Sequence, residues 1–137
     1  MEWYLKVMNQ YADFSGRARR KEYWMYTLIY CLVVYSIYFT GIWLMASTSF
    51  LMVLMAIVTI LGLVHFIPSL AVTVRRLHDT GKSGWWLLIA FIPFIGAIVL
   101  LVFLVQDSHP GTNEWGPNPK DPDSIGPIDD TIIDDIV

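Results

Sequence analysis

The stretch WWLLIAFIPFIGAIVLLVFLV, Trp85 to Val105, holds no charged residue and has a Pro and a Gly at its centre. Two readings compete for it. A membrane helix needs about 20 mostly apolar residues, and this run supplies that length. Pro93, which lacks an N–H, and Gly96 would then only bend one crossing helix. Alternatively the IPFIG centre breaks the run into a re-entrant hairpin with roughly ten residues per arm, short for a hairpin at membrane depth. Length favours the bent helix, so the expectation is a third span over about 85–105.

Outward from this run the membrane class is plain. Of 137 residues, 55% are hydrophobic and only 15% charged, against roughly 25% charged in soluble domains. A soluble chain this small has too much surface to hide so much apolar side chain. From Tyr23 to Val74 there is no Asp, Glu, Lys or Arg, and His65 is the one histidine. That run holds two more spans, about 23–45 and 50–74, joined by the short uncharged ASTS at 46–49. A signal peptide would have a much shorter apolar region and a small-residue cleavage site, so the segment is expected to stay uncleaved. The single cysteine, Cys31, lies within the first span, which leaves no disulfide framework and no Cys-based metal site. No metal-ligand spacing or cofactor motif is present, and nothing points to nucleic acid.

Before the first span, EWYLKVMNQY (residues 2–11) places Trp3, Tyr4, Val7, Met8 and Tyr11 on one helical face. Such a short amphipathic helix either lies flat in the headgroup zone or packs on its own bundle. Asp13 to Gly16 reads as a turn with Ser15 as N-cap of the next helix, and Arg17, Arg19, Arg20 and Lys21 form a basic collar. Tyr23, Trp24 and Tyr26 at the near interface and Trp43 at the far one suit an aromatic belt. In the second span Pro68 removes the backbone bond to Val64. His65, Ser69 and Thr73, spaced by four, form an intramembrane polar stripe. An ionisable residue there is a functional candidate, although a neutral histidine bonded to a neighbouring helix explains it as well.

Between the second and third spans stands RRLHDTGKSGWW (75–86). It reads as a helix end and tight turn, with Gly81 and Gly84 permitting the reversal and Trp85 and Trp86 anchoring the interface. After the third span, GTNEWGPNPKDPD is turn and extended chain, and residues 106–137 carry eight acidic residues against one lysine, Lys120. The chain divides into one membrane domain, 1–119, and an acidic irregular tail, 120–137, expected to be disordered. Orientation follows from Lys and Arg: with three spans, eight of the nine basic residues face the cytoplasm with the N-terminus, and the tail falls outside. The fold class is thus an all-α membrane protein with three transmembrane helices, a short amphipathic N-terminal helix and an irregular acidic C-terminal tail.

FSGRARRKEYW, then RRLHDTGKSGWW with IPFIG, then GTNEWGPNP form an ordered set over about Trp3 to Pro119. In that order and spacing the chain resembles the small bacterial inner-membrane family catalogued as domain of unknown function 805. The resemblance implies a multi-pass protein of the bacterial cytoplasmic membrane and carries no activity, cofactor or catalytic residue with it.

Three function classes remain. As a non-enzymatic lipid- or partner-binding component, the protein would use Arg17, Arg20, Arg75, Arg76, His78, Asp79 and Lys82 at the cytoplasmic face. There each basic residue gains about 1 kcal/mol near an anionic leaflet, and arginine forks suit lipid phosphate. Membrane lipids, anionic phospholipid among them, are then the expected partners, with a homo-oligomer or a protein partner also open. As an oligomeric transporter or channel subunit it would use the His65, Ser69 and Thr73 stripe. An enzyme is the weakest reading: His78 and Asp79 are adjacent, so on a helix they diverge by about 100° and form no dyad. A base there would need Asp107 or His109 if the tail folded back.

Overall fold

The computed structural model describes residues 2–44 and 47–123 and builds them from helices. Element α1 is Glu2–Asn9, α2 is Arg20–Trp43, α3 is Thr48–Asp79 and α4 is Ile95–Val105, with a 3₁₀ helix, Gly84–Phe91, between the last two. Most of the acidic tail, including DDTIIDDIV, lies outside the described residues, as do Met45 and Ala46 of the α2–α3 link. The α2 and α3 helices are each long and apolar enough to cross a membrane. At 1.5 Å per residue, the 32 residues of α3 reach about 48 Å, well beyond a hydrocarbon core of about 30 Å. The apolar stretch 50–74 is by itself long enough to cross, and the helix runs on through Arg75, Arg76 and His78 to Asp79. It continues through Pro68, which is buried. Helix α2 starts at Arg20, so Ser15 is not its N-cap.

By chain contacts the molecule forms two compact units. The first comprises residues 1–13 and 21–72. Its two long helices run antiparallel: the Tyr26 hydroxyl meets Ser69 Oγ at 3.0 Å, Gly62 faces Tyr30, and Gly41 faces Leu51 and Leu54. The N-terminal helix packs on this pair, which decides between its two sequence readings. Tyr4 stacks on Tyr26 at 5.6 Å between ring centroids, and Lys6 forms an ion pair with the buried Glu22 at 2.5 Å. His65 Nδ1 bonds the Leu61 carbonyl at 2.8 Å, so it carries the proton, and Nε2 accepts from the Tyr4 hydroxyl at 2.7 Å. Tyr4→Phe therefore strands a partly buried acceptor. It is expected to cost about 1–2 kcal/mol, read as a lowered Tm in detergent.

The second unit comprises residues 14–20 and 73–137. Here residues 85–105 do not form one continuous bent helix. The 3₁₀ helix Gly84–Phe91 and α4 are separate arms of a hairpin, packed on each other through the T-shaped Trp86–Phe103 pair at 5.2 Å. The reversal is a γ-turn in its strained form: Phe94 has φ 61° and ψ −59°, and Ile95 N bonds Pro93 O at 2.7 Å. The Pro supplies an acceptor and needs no donor partner. The Gly lets the arms touch, because a Cβ at Gly96 would lie 1.7 Å from the Ile89 carbonyl oxygen. Backbone bonds Ile92 N–Ile89 O at 2.9 Å and Gly96 N–Ile92 O at 3.0 Å satisfy the tip internally, as lipid requires. Eight residues of 3₁₀ helix and eleven of α-helix each rise about 16 Å, half a hydrocarbon core.

Burial is inverted relative to a soluble domain. Arg17, Glu22, His65, Arg75, Arg76, His78 and Asp79 are buried, while Trp43, Phe91 and Phe94 are each more than 80% exposed. Large apolar surfaces beside interior charge are what a lipid-embedded molecule presents.

Candidate functional site

The last turn of α3 ends on Asp79, whose carboxylate is fully buried and serves three donors. Oδ1 accepts from Arg17 Nε at 3.1 Å; Oδ2 accepts from Arg76 Nη1 and from Ser108 Oγ at 2.7 Å. Arg76 reaches Asp79 because the two sit three residues apart on one helix. Its other nitrogens donate to the Leu104 carbonyl, at 3.1 Å, and the Gln106 carbonyl. Arg20 adds a contact to Val105 O at 3.3 Å. A helix end leaves four carbonyls without intrahelical partners and carries partial negative charge. Two guanidinium groups therefore cap the C-terminus of α4.

Arg17 completes the clasp. Beyond Asp79 it donates to the carbonyls of His109 at 2.6 Å, Gly111 at 2.8 Å and Gly116 at 3.2 Å. His109 N returns a bond to Asp79 O at 2.7 Å. The segment after α4 is thus folded onto the end of α3, through two tight turns in which the Asn113 and Asn118 side chains accept backbone N–H groups at 3.0 Å. The carbonyls of residues 104–116 thus meet Arg17 and Arg76, and Ser108 and His109 meet Asp79.

His78 has its own surroundings. Its ring stacks on Trp115 at 4.5 Å and 7°, Nδ1 bonds Gly16 O at 3.2 Å, and its carbonyl accepts from Asn113 Nδ2 at 2.9 Å. Past the apolar stretch of α3, burial pushes this imidazole below its usual range, against a weaker opposing effect of the Gly16 carbonyl. It is therefore neutral at pH 7. Arg75 is buried, and its carbonyl accepts from Ala18 N at 3.0 Å. Lys82 lies 4.5 Å over the Phe103 ring, a cation–π contact. On the surface, Asp107 joins Arg20 at 3.2 Å and Lys120. The hydrogen bond from Lys120, then that from the Ser108 N–H, hold its carboxyl below the usual carboxylate range.

The structure thus gathers Arg17, Arg20, Arg76 and Asp79 into one network, with His78 and Lys82 beside it in the same unit. The forks of Arg17 and Arg76 are spent on the chain's own carboxylate and carbonyls rather than turned to a phosphate. The tail does fold back, yet His78 faces Trp115 and Asp107 faces two cations, so neither Asp107 nor His109 pairs with the His78 ring. Of the polar stripe, His65 and Ser69 meet Tyr4 and Tyr26 in the first unit, while Thr73 belongs to the second. The sequence reading missed Ser108, Asn113 and Trp115. A lone Trp amid Gly, Pro and Asn was the one available sign, since an exposed turn has little use for an indole.

Inverted burial, two membrane-length apolar helices and an internally satisfied hairpin define a helical membrane protein. The chain belongs to the family described as protein of unknown function (DUF805), matched over residues 11–117. It is 47% identical over 120 residues to the inner membrane protein YhaI of Escherichia coli K12, covering 88% of this chain and 97% of that one. To the inner membrane protein YhaH of the same strain it is 43% identical over 126 residues, covering 88% and 98%. No solved structure matches it.

Proposed function

We propose that this is a non-enzymatic lipid- or partner-binding component of the inner membrane, with two crossing helices and a hairpin that enters and leaves the cytoplasmic leaflet. The observation that carries this reading is the clasp of Arg17, Arg76 and Asp79 on residues 104–116. It supports a hairpin with both ends at the α3 terminus. All nine Lys and Arg residues then face the cytoplasm, one more than three spans allow, which suits the positive-inside tendency. Within this topology the buried arginines act as staples. Attraction to anionic lipid, about 1 kcal/mol per basic residue near the surface, falls to the outer groups, the exposed Lys21 and the half-exposed Arg20 and Lys82. The transporter reading gains nothing from the polar stripe, because His65 and Ser69 are engaged with tyrosines.

The test is side-specific labelling. In a variant lacking Cys31, a cysteine at the exposed Glu114 should resist an impermeant thiol reagent in cells with a permeabilised outer membrane, and react after lysis. A control cysteine at Ser47 should react in both. Labelling of position 114 before lysis would return the protein to three spans.

A further inference from the structure

A groove of about 530 Å³ opens beside the clasp, within the second unit. Its walls are Phe14, Val74, Leu87 and Leu88, and its polar groups are His78 and Ser83. Phe14 and Leu88 are 42% and 52% exposed, so the apolar wall is open to whatever surrounds the protein at this level. Gly84 also lines the groove: a Cβ there would lie 2.8 Å from Val74 Cγ1 and 3.6 Å from His78 Nε2. The missing side chain is what leaves that nitrogen facing open space.

The chemistry of Nε2 is fixed by its ring partner. Nδ1 bonds a carbonyl, which only accepts, so Nδ1 carries the proton and Nε2 presents a lone pair. Among the described residues no donor reaches Nε2, although His78 is only 8% exposed. Open to the groove on an otherwise buried residue, Nε2 is placed to accept from a donor on a bound ligand. The Ser83 hydroxyl oxygen accepts from Trp85 N at 3.4 Å, which leaves its O–H free to donate to a phosphate or ester oxygen.

We infer that this groove is a binding site for one phospholipid whose headgroup carries an N–H or O–H donor. The donor bonds His78 Nε2, a phosphate or ester oxygen takes the Ser83 hydroxyl, and an acyl chain lies along Val74, Leu87 and Leu88. The inference deepens the lipid-binding reading above and depends on the hairpin entering lipid. Phosphatidylethanolamine and phosphatidylglycerol both satisfy it, the first by its ammonium and the second by its hydroxyls. Phosphatidylcholine has the same shape and a quaternary nitrogen with no donor.

Native mass spectrometry of the full chain, equilibrated with equal amounts of these three lipids with matched acyl chains, tests the site. One donor-bearing lipid should be retained over phosphatidylcholine by roughly two- to a hundredfold, the range one hydrogen bond spans between a neutral and a charged donor. The relative retention of the ethanolamine and glycerol lipids tells which donor is taken. His78→Phe, which keeps a ring against Trp115, should bring the ratio near one. Leu88→Trp, a larger side chain on an exposed wall, should reduce retention of all three. Equal retention of phosphatidylcholine by the parent, an unchanged ratio in folded His78→Phe, or undiminished retention in Leu88→Trp would each overturn the site. The labelling of Glu114→Cys is read separately, so a wrong topology and a wrong site give different results.

Discussion

Asp79→Asn is expected to be the most damaging single substitution of similar size, costing about 3–5 kcal/mol and lowering Tm by roughly 10 °C or more. The reason is one of charge in a confined space. Arg17 and Arg76 are buried with Asp79 between them, so the trio already carries one net positive charge. An asparagine removes the compensating charge and leaves two buried cations with only carbonyl dipoles around them. The amide also offers one oxygen where the carboxylate offered two, so Arg17, Arg76 and Ser108 no longer all find an acceptor. Arg76→Lys should cost less, since the charge stays. A point ammonium cannot reproduce the fork that serves Leu104, Gln106 and Asp79 together, so residues 104–109 should exchange amide hydrogens faster. A parent-like Tm for Asp79→Asn in detergent would show that the trio is not the support of this unit.

The membrane class was open to sequence reading because it depends on local composition: the uncharged run from Tyr23 to Val74 admits no soluble alternative. The hairpin was not, because IPFIG permits a bend or a break with the same residues. The choice is made by packing that composition does not encode. Gly96 lies against Ile89 backbone seven residues back, and Arg76, distant in the chain, lies against the carbonyls that end α4. The arginines were legible as a cluster and not in direction, since phosphate and carbonyl both present oxygen to a guanidinium. The N-terminal helix shows the same limit. Its amphipathic pattern was plain, but only the Tyr4–His65 and Lys6–Glu22 contacts choose bundle over headgroups.

Gly96→Ala should open the hairpin. The added methyl would meet Ile89 O at 1.7 Å, Ile89 C at 2.7 Å and Ala90 Cα at 3.3 Å, all backbone atoms that no rotamer change can move aside. The arms must separate, which weakens the Trp86–Phe103 and Lys82–Phe103 contacts between them. Overpacking of this kind costs about 1–3 kcal/mol and sometimes more, and the exposed edge of each arm adds unsatisfied backbone in lipid. Straightening is the other outlet: relieved of the turn, residues 85–105 are long enough to cross as one helix. The clasp opposes that outcome, because carrying residues 104–116 across the membrane would strip Arg17 and Arg76 of their carbonyls. Gly96→Ala alone should therefore lower Tm and leave position 114 shielded. Joined to Asp79→Asn, which loosens the clasp, it should expose a fraction of position 114 to reagent from outside. Parent-like stability of Gly96→Ala would mean that the arms do not touch, and a shielded position 114 in the double variant would mean that something other than the clasp holds the hairpin in place.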